Sequence, residues 1–245
     1  MKHVYSVMYA LAIGAAGSIL ASAVLAAFSK DSQIGTMLLY GGLLLTCAEL
    51  VMVHKSINTL RSMGVVRWEP SMSTGTTTAD AIRLSQRSLC FLGIAATKWL
   101  ADPSLLRAML LRHATNGGHA RFLLLDPDSD ACAEFEMIKN RSPGSLAKTI
   151  RANIQALRAL QAERFRIEIR VYTEIPRFRL AVIDDTSILM GLYSFVSESG
   201  DDTPQIVFSS KPRMWSFYYG VNAFYTAQWE RAKSVAQTAT DGVGL

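Results

Sequence analysis

The chain has little cysteine, little charge and little histidine, and each scarcity removes a class of function. Three cysteines, Cys47, Cys90 and Cys132, are scattered over 245 residues, with no Cys-x-x-Cys pair and no Cys/His cluster. That argues against a zinc site and suits free thiols in a reducing compartment. Only 18% of residues are charged while 50% are hydrophobic, more apolar than a typical soluble chain. The net charge of +5 suits a membrane-proximal protein or a pocket for anions, and demands neither. The soluble part shows no long basic stripe, so a nucleic-acid partner is not expected. His3 and His54 flank apolar segments, and His113 falls late in an expected helix, as a surface or C-terminal charge partner. No Ser/His/Asp triad, glycine-rich phosphate loop or metal-ligand spacing appears, and neither metal nor cofactor is expected. Asp126, Asp128 and Asp130 have part of a calcium-loop spacing but lack its Gly and distal Glu, so they read as loop and helix cap.

What is present first is apolar length. Val4 to Ser29 carries no charge, long enough to span a bilayer. A signal peptide is the rival reading, but a second run, Ile34 to Val53, follows after a short polar loop, Lys30 to Gln33. Residues 1–54 therefore predict a two-helix transmembrane hairpin. Lys2 precedes it, and Lys55, Arg61 and Arg67 follow it. The positive-inside rule then puts both termini in the cytoplasm. A bacterial inner membrane is the expected location. Small residues from Gly14 to Ser22, with Gly41 and Gly42, permit close helix approach, either within the hairpin or between chains as a homodimer or larger homo-oligomer. Glu49, near His54 and Lys55, is either a snorkelling interface residue or a functional intramembrane carboxylate.

Residues 55–77 read as a connector, ending the second helix at Gly64, with Val65–Trp68 as a short strand or a membrane-surface contact. Residues 78–235 read as one α/β module, and 236–245 as a disordered tail. A short helix opens at Thr78. Ser88–Ala96 is a continuous apolar run, a strand covered on both faces. Asp102-Pro103 is a helix start, and that helix ends at Asn116-Gly117-Gly118. His119–Leu125 is the next strand, completing a parallel βαβ unit. A helical stretch from Ser129 to Arg164 breaks near Ser142-Pro143-Gly144. Strands Ile167–Tyr172, Phe178–Ile183, Ser187–Leu192 and Gln205–Ser209 follow, then a closing helix over Trp215–Lys233.

Phe178–Ile183 and Ser187–Leu192 fold back on each other through Asp184, Asp185 and Thr186. Arg177, one gap, Arg179, four mostly apolar residues, Asp184, six residues and Gly191 resemble the His-x-Lys-x4-Asp-x6-Gly motif of the phospholipase D superfamily. The order of elements from Ala79 to Lys233 also resembles degenerate phospholipase D-like domains attached to bacterial regulators and membrane proteins. The resemblance implies a mixed sheet with helices on both faces, and a phosphate pocket in which Arg177, Arg179, Asp184, Gly191 and Tyr193 are candidate contacts. It also implies that the reaction is lost. Arg177 stands where the family has its nucleophilic His, and guanidinium has no free lone pair. A single motif would need a homodimer to complete a site. His119-Ala120-Arg121 with Asp126 repeats the spacing with its His present, but Ala133 stands where Gly is required. His119 is the one catalytic candidate.

Arg177 and Arg179 alternate with Phe178, which predicts one shared face. They either bridge to Glu168, Glu174 or Asp184, or hold a phosphate of a nucleotide or phospholipid headgroup, with Tyr193, Tyr172 and Trp99 available for stacking or core packing. Three functions follow. One is a catalytically dead, membrane-anchored sensor or effector, similar in architecture to effectors of bacterial anti-phage signalling. The second is a membrane-tethered phosphodiesterase, nuclease or phospholipase dependent on His119. The third is a protein-binding adaptor.

Overall fold

The computed structural model describes residue 23 and residues 32–193, 203–210 and 217–235. The first expected span, Val4–Ser29, and the tail lie outside the described residues. The chain divides into two compact units, residues 1–60 and 61–245.

The first unit contributes helix α1, Ser32–Ser62. Its 31 residues extend about 46 Å at the usual rise. Among the described residues it is the one helix long and apolar enough to cross a membrane, over Tyr40–Ser62. Met37, Tyr40, Leu44, Leu45, Val51 and Met52 are exposed along it, and Glu49 is exposed among them. The span expected over Ile34–Val53 thus sits inside a longer helix, and the hairpin has one described member. Gly64, at φ 89°, closes the helix in the left-handed region that glycine favours, and its amide donates to the Arg61 carbonyl at 3.0 Å.

The second unit is built on one eight-stranded sheet. In chain order come β1 (Val65–Glu69), α2 (Thr78–Leu84), β2 (Ser88–Gly93), α3 (Pro103–Thr115), β3 (His119–Leu125), α4 (Asp130–Ile138), α5 (Ser145–Ala162), β4 (Ile167–Tyr172), β5 (Phe178–Ile183), β6 (Ser187–Leu192), β7 (Gln205–Ser209), α6 (Phe217–Arg231) and β8 (Lys233–Ser234). Across the sheet the order is β1-β7-β6-β5-β2-β3-β4-β8. Strands β2, β3 and β4 run parallel, and β5 pairs antiparallel with β2. The sheet is therefore mixed, and its direction changes between β2 and β5.

Local chemistry sets the boundaries. Thr77 caps α2, and Asp80 returns the bond to the Thr77 amide, a reciprocal capping box. Asp102 caps α3 with Pro103 in its first turn. Gly144 offers α5 no side-chain cap. The Glu136 carboxylate does so from α4, accepting from the amides of Gly144 at 2.7 Å, Leu146 at 2.6 Å and Ala147 at 3.2 Å. Burial raises the Glu136 carboxyl, but these amides and Arg141 outweigh it and hold the group below its usual range.

Every residue of β2 is buried, whereas β4 leaves Glu168 exposed. Phe91 packs on Trp99 and Phe122 on the face carrying the pocket described below. On the other face α6 sets Trp229 under the guanidinium groups of Arg121 and Arg170, 5.2 and 4.7 Å from its ring centre.

Of the two readings of Val65–Trp68, the strand holds: Val65–Glu69 is the edge strand of the sheet, paired with β7. Two expectations change. The closing helix stops at Arg231 and gives way to β8, which pairs with β4. His113 is buried rather than a surface partner: it is 2% exposed, and its Nε2 lies 2.8 Å from the Ser85 hydroxyl. That hydroxyl donates to the Ser88 carbonyl, so it accepts from Nε2–H of the ring. Burial pushes the imidazole down to about 4.

Candidate functional site

A pocket of about 220 Å³ opens where β2 ends and the sheet changes direction. Ligands in open α/β sheets favour this place, outside the carboxyl ends of parallel strands at a switch point. Three elements bring cations to it: Lys98 from the loop after β2, Lys139 and Arg141 from the link between α4 and α5, and Arg179 from β5. Thr78, Thr97, Thr149, Thr203 and Tyr193 add hydroxyls, and Phe91, Trp99 and Phe135 add apolar wall. Among its described lining residues there is no carboxylate, histidine or cysteine.

The loop after β2 is held from outside. The Asn153 amide nitrogen on α5 donates to the Ala95 carbonyl at 2.6 Å and to the Thr97 hydroxyl at 3.0 Å. Ala96 sits at φ 55° and Asn140 at φ 51°. Both are left-handed, Ala96 just before Thr97 and Asn140 between Lys139 and Arg141, and for alanine that conformation costs about 1 kcal/mol. The Ile94 amide donates to the Tyr193 hydroxyl at 3.1 Å. Burial raises the Tyr193 phenol to about 12, so it remains a neutral hydroxyl. Burial first, then the neighbouring Arg141, lower the Lys139 ammonium; an anion between the two cations would reverse that second effect.

The candidates named from sequence separate. Arg179 and Tyr193 line the pocket. Arg177 directly precedes β5, is exposed, and is not among the residues lining the pocket. Asp184 lies at the opposite end of β5, about 17 Å from Arg179 by strand rise. Its carboxylate accepts from the amides of Gln86, Arg87 and Ser88, tying the hairpin turn to the start of β2. Asp184 and Asp185 stand at φ 51° and 53°, a turn conformation that Asp tolerates. Gly191 does not line the pocket but lies beneath the Arg179 guanidinium. His119 begins β3 opposite Ser88, about 17 Å along the strands from the end of β2 that leads into the pocket loop. Trp99 is a pocket wall, while Tyr172 donates to the Gly93 carbonyl at 3.3 Å. Glu168 pairs with Arg121 on the α6 face, and Gln228 donates to Glu174. Lys98, Lys139 and Arg141 were not singled out from sequence. They lie on two loops far apart in the chain, and no motif spacing links them.

Among the described residues no cluster of three or more His, Cys, Asp or Glu side chains could hold a metal. No curated protein matches the chain. Among solved structures it is similar to TrmBL2, described as an archaeal chromatin protein with a novel mode of DNA binding, at 11% identity and TM-score 0.46, covering 82% of this chain and 70% of that one. It is similar to Nuc from Salmonella typhimurium, described as a phospholipase D family member, at 10% identity and TM-score 0.36, covering 64% and 86%. It is also similar to phosphatidylserine synthase from Haemophilus influenzae Rd KW20, at 12% identity and TM-score 0.45, covering 69% of this chain but 39% of that one. A family model matches residues 79–214, which span β2 to β7 and every described cation of the pocket. That match takes in more than half of the sequence, and the chain belongs to the family described as a domain of unknown function (DUF5919).

Proposed function

We propose that the protein is a membrane-anchored sensor or effector whose α/β module binds a phosphate-bearing ligand without cleaving it. The observation that carries this reading is the pocket lining: four cations from three elements, with hydroxyls beside them. Guanidinium and ammonium groups with hydroxyl donors suit phosphate oxygens. A phosphodiester-cleaving enzyme of the kind the sequence resembles needs a nucleophile at the phosphorus, and His119 stands at the far end of the strands. The ligand is a nucleotide or a phospholipid headgroup, sources that share this chemistry. Its binding would act through the N-terminal membrane segment, with assembly into homo-oligomers as the output. A role in anti-phage signalling is the biological setting this architecture suits.

The test uses the full chain in detergent micelles. Calorimetric titrations with inorganic pyrophosphate, linear and cyclic nucleotides and soluble phospholipid headgroups are run beside a phosphodiester cleavage assay. Arg179→Ala and Arg141→Ala are each expected to weaken binding by roughly ten- to a hundredfold, the usual worth of a hydrogen bond to a charged group. Nucleotide against headgroup binding separates the two sources. Turnover abolished by His119→Ala would replace this reading with the enzyme. Absence of binding to every probe would leave the adaptor.

A further inference from the structure

One row of residues crosses the pocket face of the sheet. Arg179 on β5 pairs with Gly191 on β6, Gly191 pairs with Gln205 on β7, and Gln205 pairs with Glu69 on β1. Residues directly opposite in a sheet project to the same face. The Gln205 amide nitrogen donates to the Glu69 carboxylate at 2.8 Å. That carboxylate, 5% exposed, also accepts from the amide and hydroxyl of Thr76, each at 2.8 Å. The far end of the row is thus a fixed, buried polar group.

Gly191 is the gap in the row. A Cβ there would lie 2.5 Å from Arg179 Nε and 2.8 Å from Cζ and Nη2. The guanidinium therefore lies flat across the bare backbone of β6. Gly191 is not among the glycines at positive φ, so its backbone is one that any residue adopts. What this position requires is the missing side chain.

We propose that Gly191 is a positioning residue: it is the shelf that holds the Arg179 guanidinium at the pocket, with Gln205 and Glu69 fixed behind it in the same row of the sheet. The inference rests on the reading of the pocket as a site for a phosphate-bearing ligand contacted by Arg179. A free arginine must surrender many rotamers on binding, and a side chain already laid along a shelf surrenders fewer. Gly191 does not itself line the pocket, so a methyl group there acts on a ligand through Arg179. The clashing atoms are the far end of a flexible side chain, and the strand can keep its course.

The experiment is a double-mutant cycle on the full chain in detergent, with inorganic pyrophosphate as the probe. Gly191→Ala is expected to weaken binding about tenfold while the melting temperature moves little. Gly191→Ala combined with Arg179→Ala should bind no more weakly than Arg179→Ala alone. Unchanged affinity in Gly191→Ala, or losses that simply add, would overturn the proposal. If the wild type does not bind pyrophosphate, the phosphate reading fails first. Crystal structures of the wild type and of Gly191→Ala then decide the shelf: a displaced guanidinium upholds it, and an unmoved one overturns it.

Discussion

At the scale of single residues, the fold's demands are written in its buried polar groups. His113 is neutral in the folded state, with its value depressed to about 4 by burial. An unfolded chain binds that proton near pH 6.5. Stability is therefore fully present above about pH 6.5 and is lost as pH falls toward 4, by up to roughly 3 kcal/mol. Denaturant melts between pH 7 and pH 4 measure this, and His113→Gln should flatten the dependence. Glu136 is the second such group. Its three amide bonds close the start of α5, and Glu136→Ala should cost about 1–3 kcal/mol by leaving buried donors unpaired. A melting temperature within a degree of the wild type would refute the cap.

Element by element, the sheet separates scaffold from site. Asp184 belongs to the scaffold: it joins the turn between β5 and β6 to the start of β2, at the end of the strands away from the pocket. Asp184→Ala should destabilise the protein by about 1–3 kcal/mol and leave pyrophosphate affinity unchanged. Equal losses of both would place Asp184 in the site. Asn153 belongs to the site's support. With Asn153→Ala, the loop carrying Thr97 and Lys98 loses its two bonds to α5. Faster hydrogen exchange is expected in residues 94–99, with protection of β2 retained. Uniform exchange across both segments would mean that the loop is held by something else.

For the whole molecule, the informative feature is an apolar helix followed closely along the chain by a strand. Helix α1 reaches Ser62 and β1 starts at Val65, so few residues separate the candidate span from the sheet edge. Full-length protein should remain with membranes after an alkaline wash. Leu44→Arg with Leu45→Arg should release part of it, since each central arginine costs about 3 kcal/mol of insertion. Retention of the double variant at wild-type level would argue for anchoring by other residues.

The sequence by itself determined the elements whose signals are local. The apolar run of Ser88–Ala96, the cap at Asp102-Pro103 and the tolerant turn at Asp184-Asp185 placed β2, which ends earlier at Gly93, the start of α3 and the β5–β6 hairpin. Period and capping act within a few residues of the chain, so they can be read along it. Tertiary structure decided what depends on meeting across the fold. It made Val65–Glu69 an edge strand because β7 lies beside it. It buried His113 against Ser85, 28 positions away. It put Arg179 at the pocket and left Arg177 exposed outside it. It gathered Lys98, Lys139, Arg141 and Arg179 around one pocket, because parallel strands ending together bring distant loops to one edge. It also gave Gly191 its meaning, since only the strand paired opposite reveals which side chain fills the space that glycine leaves.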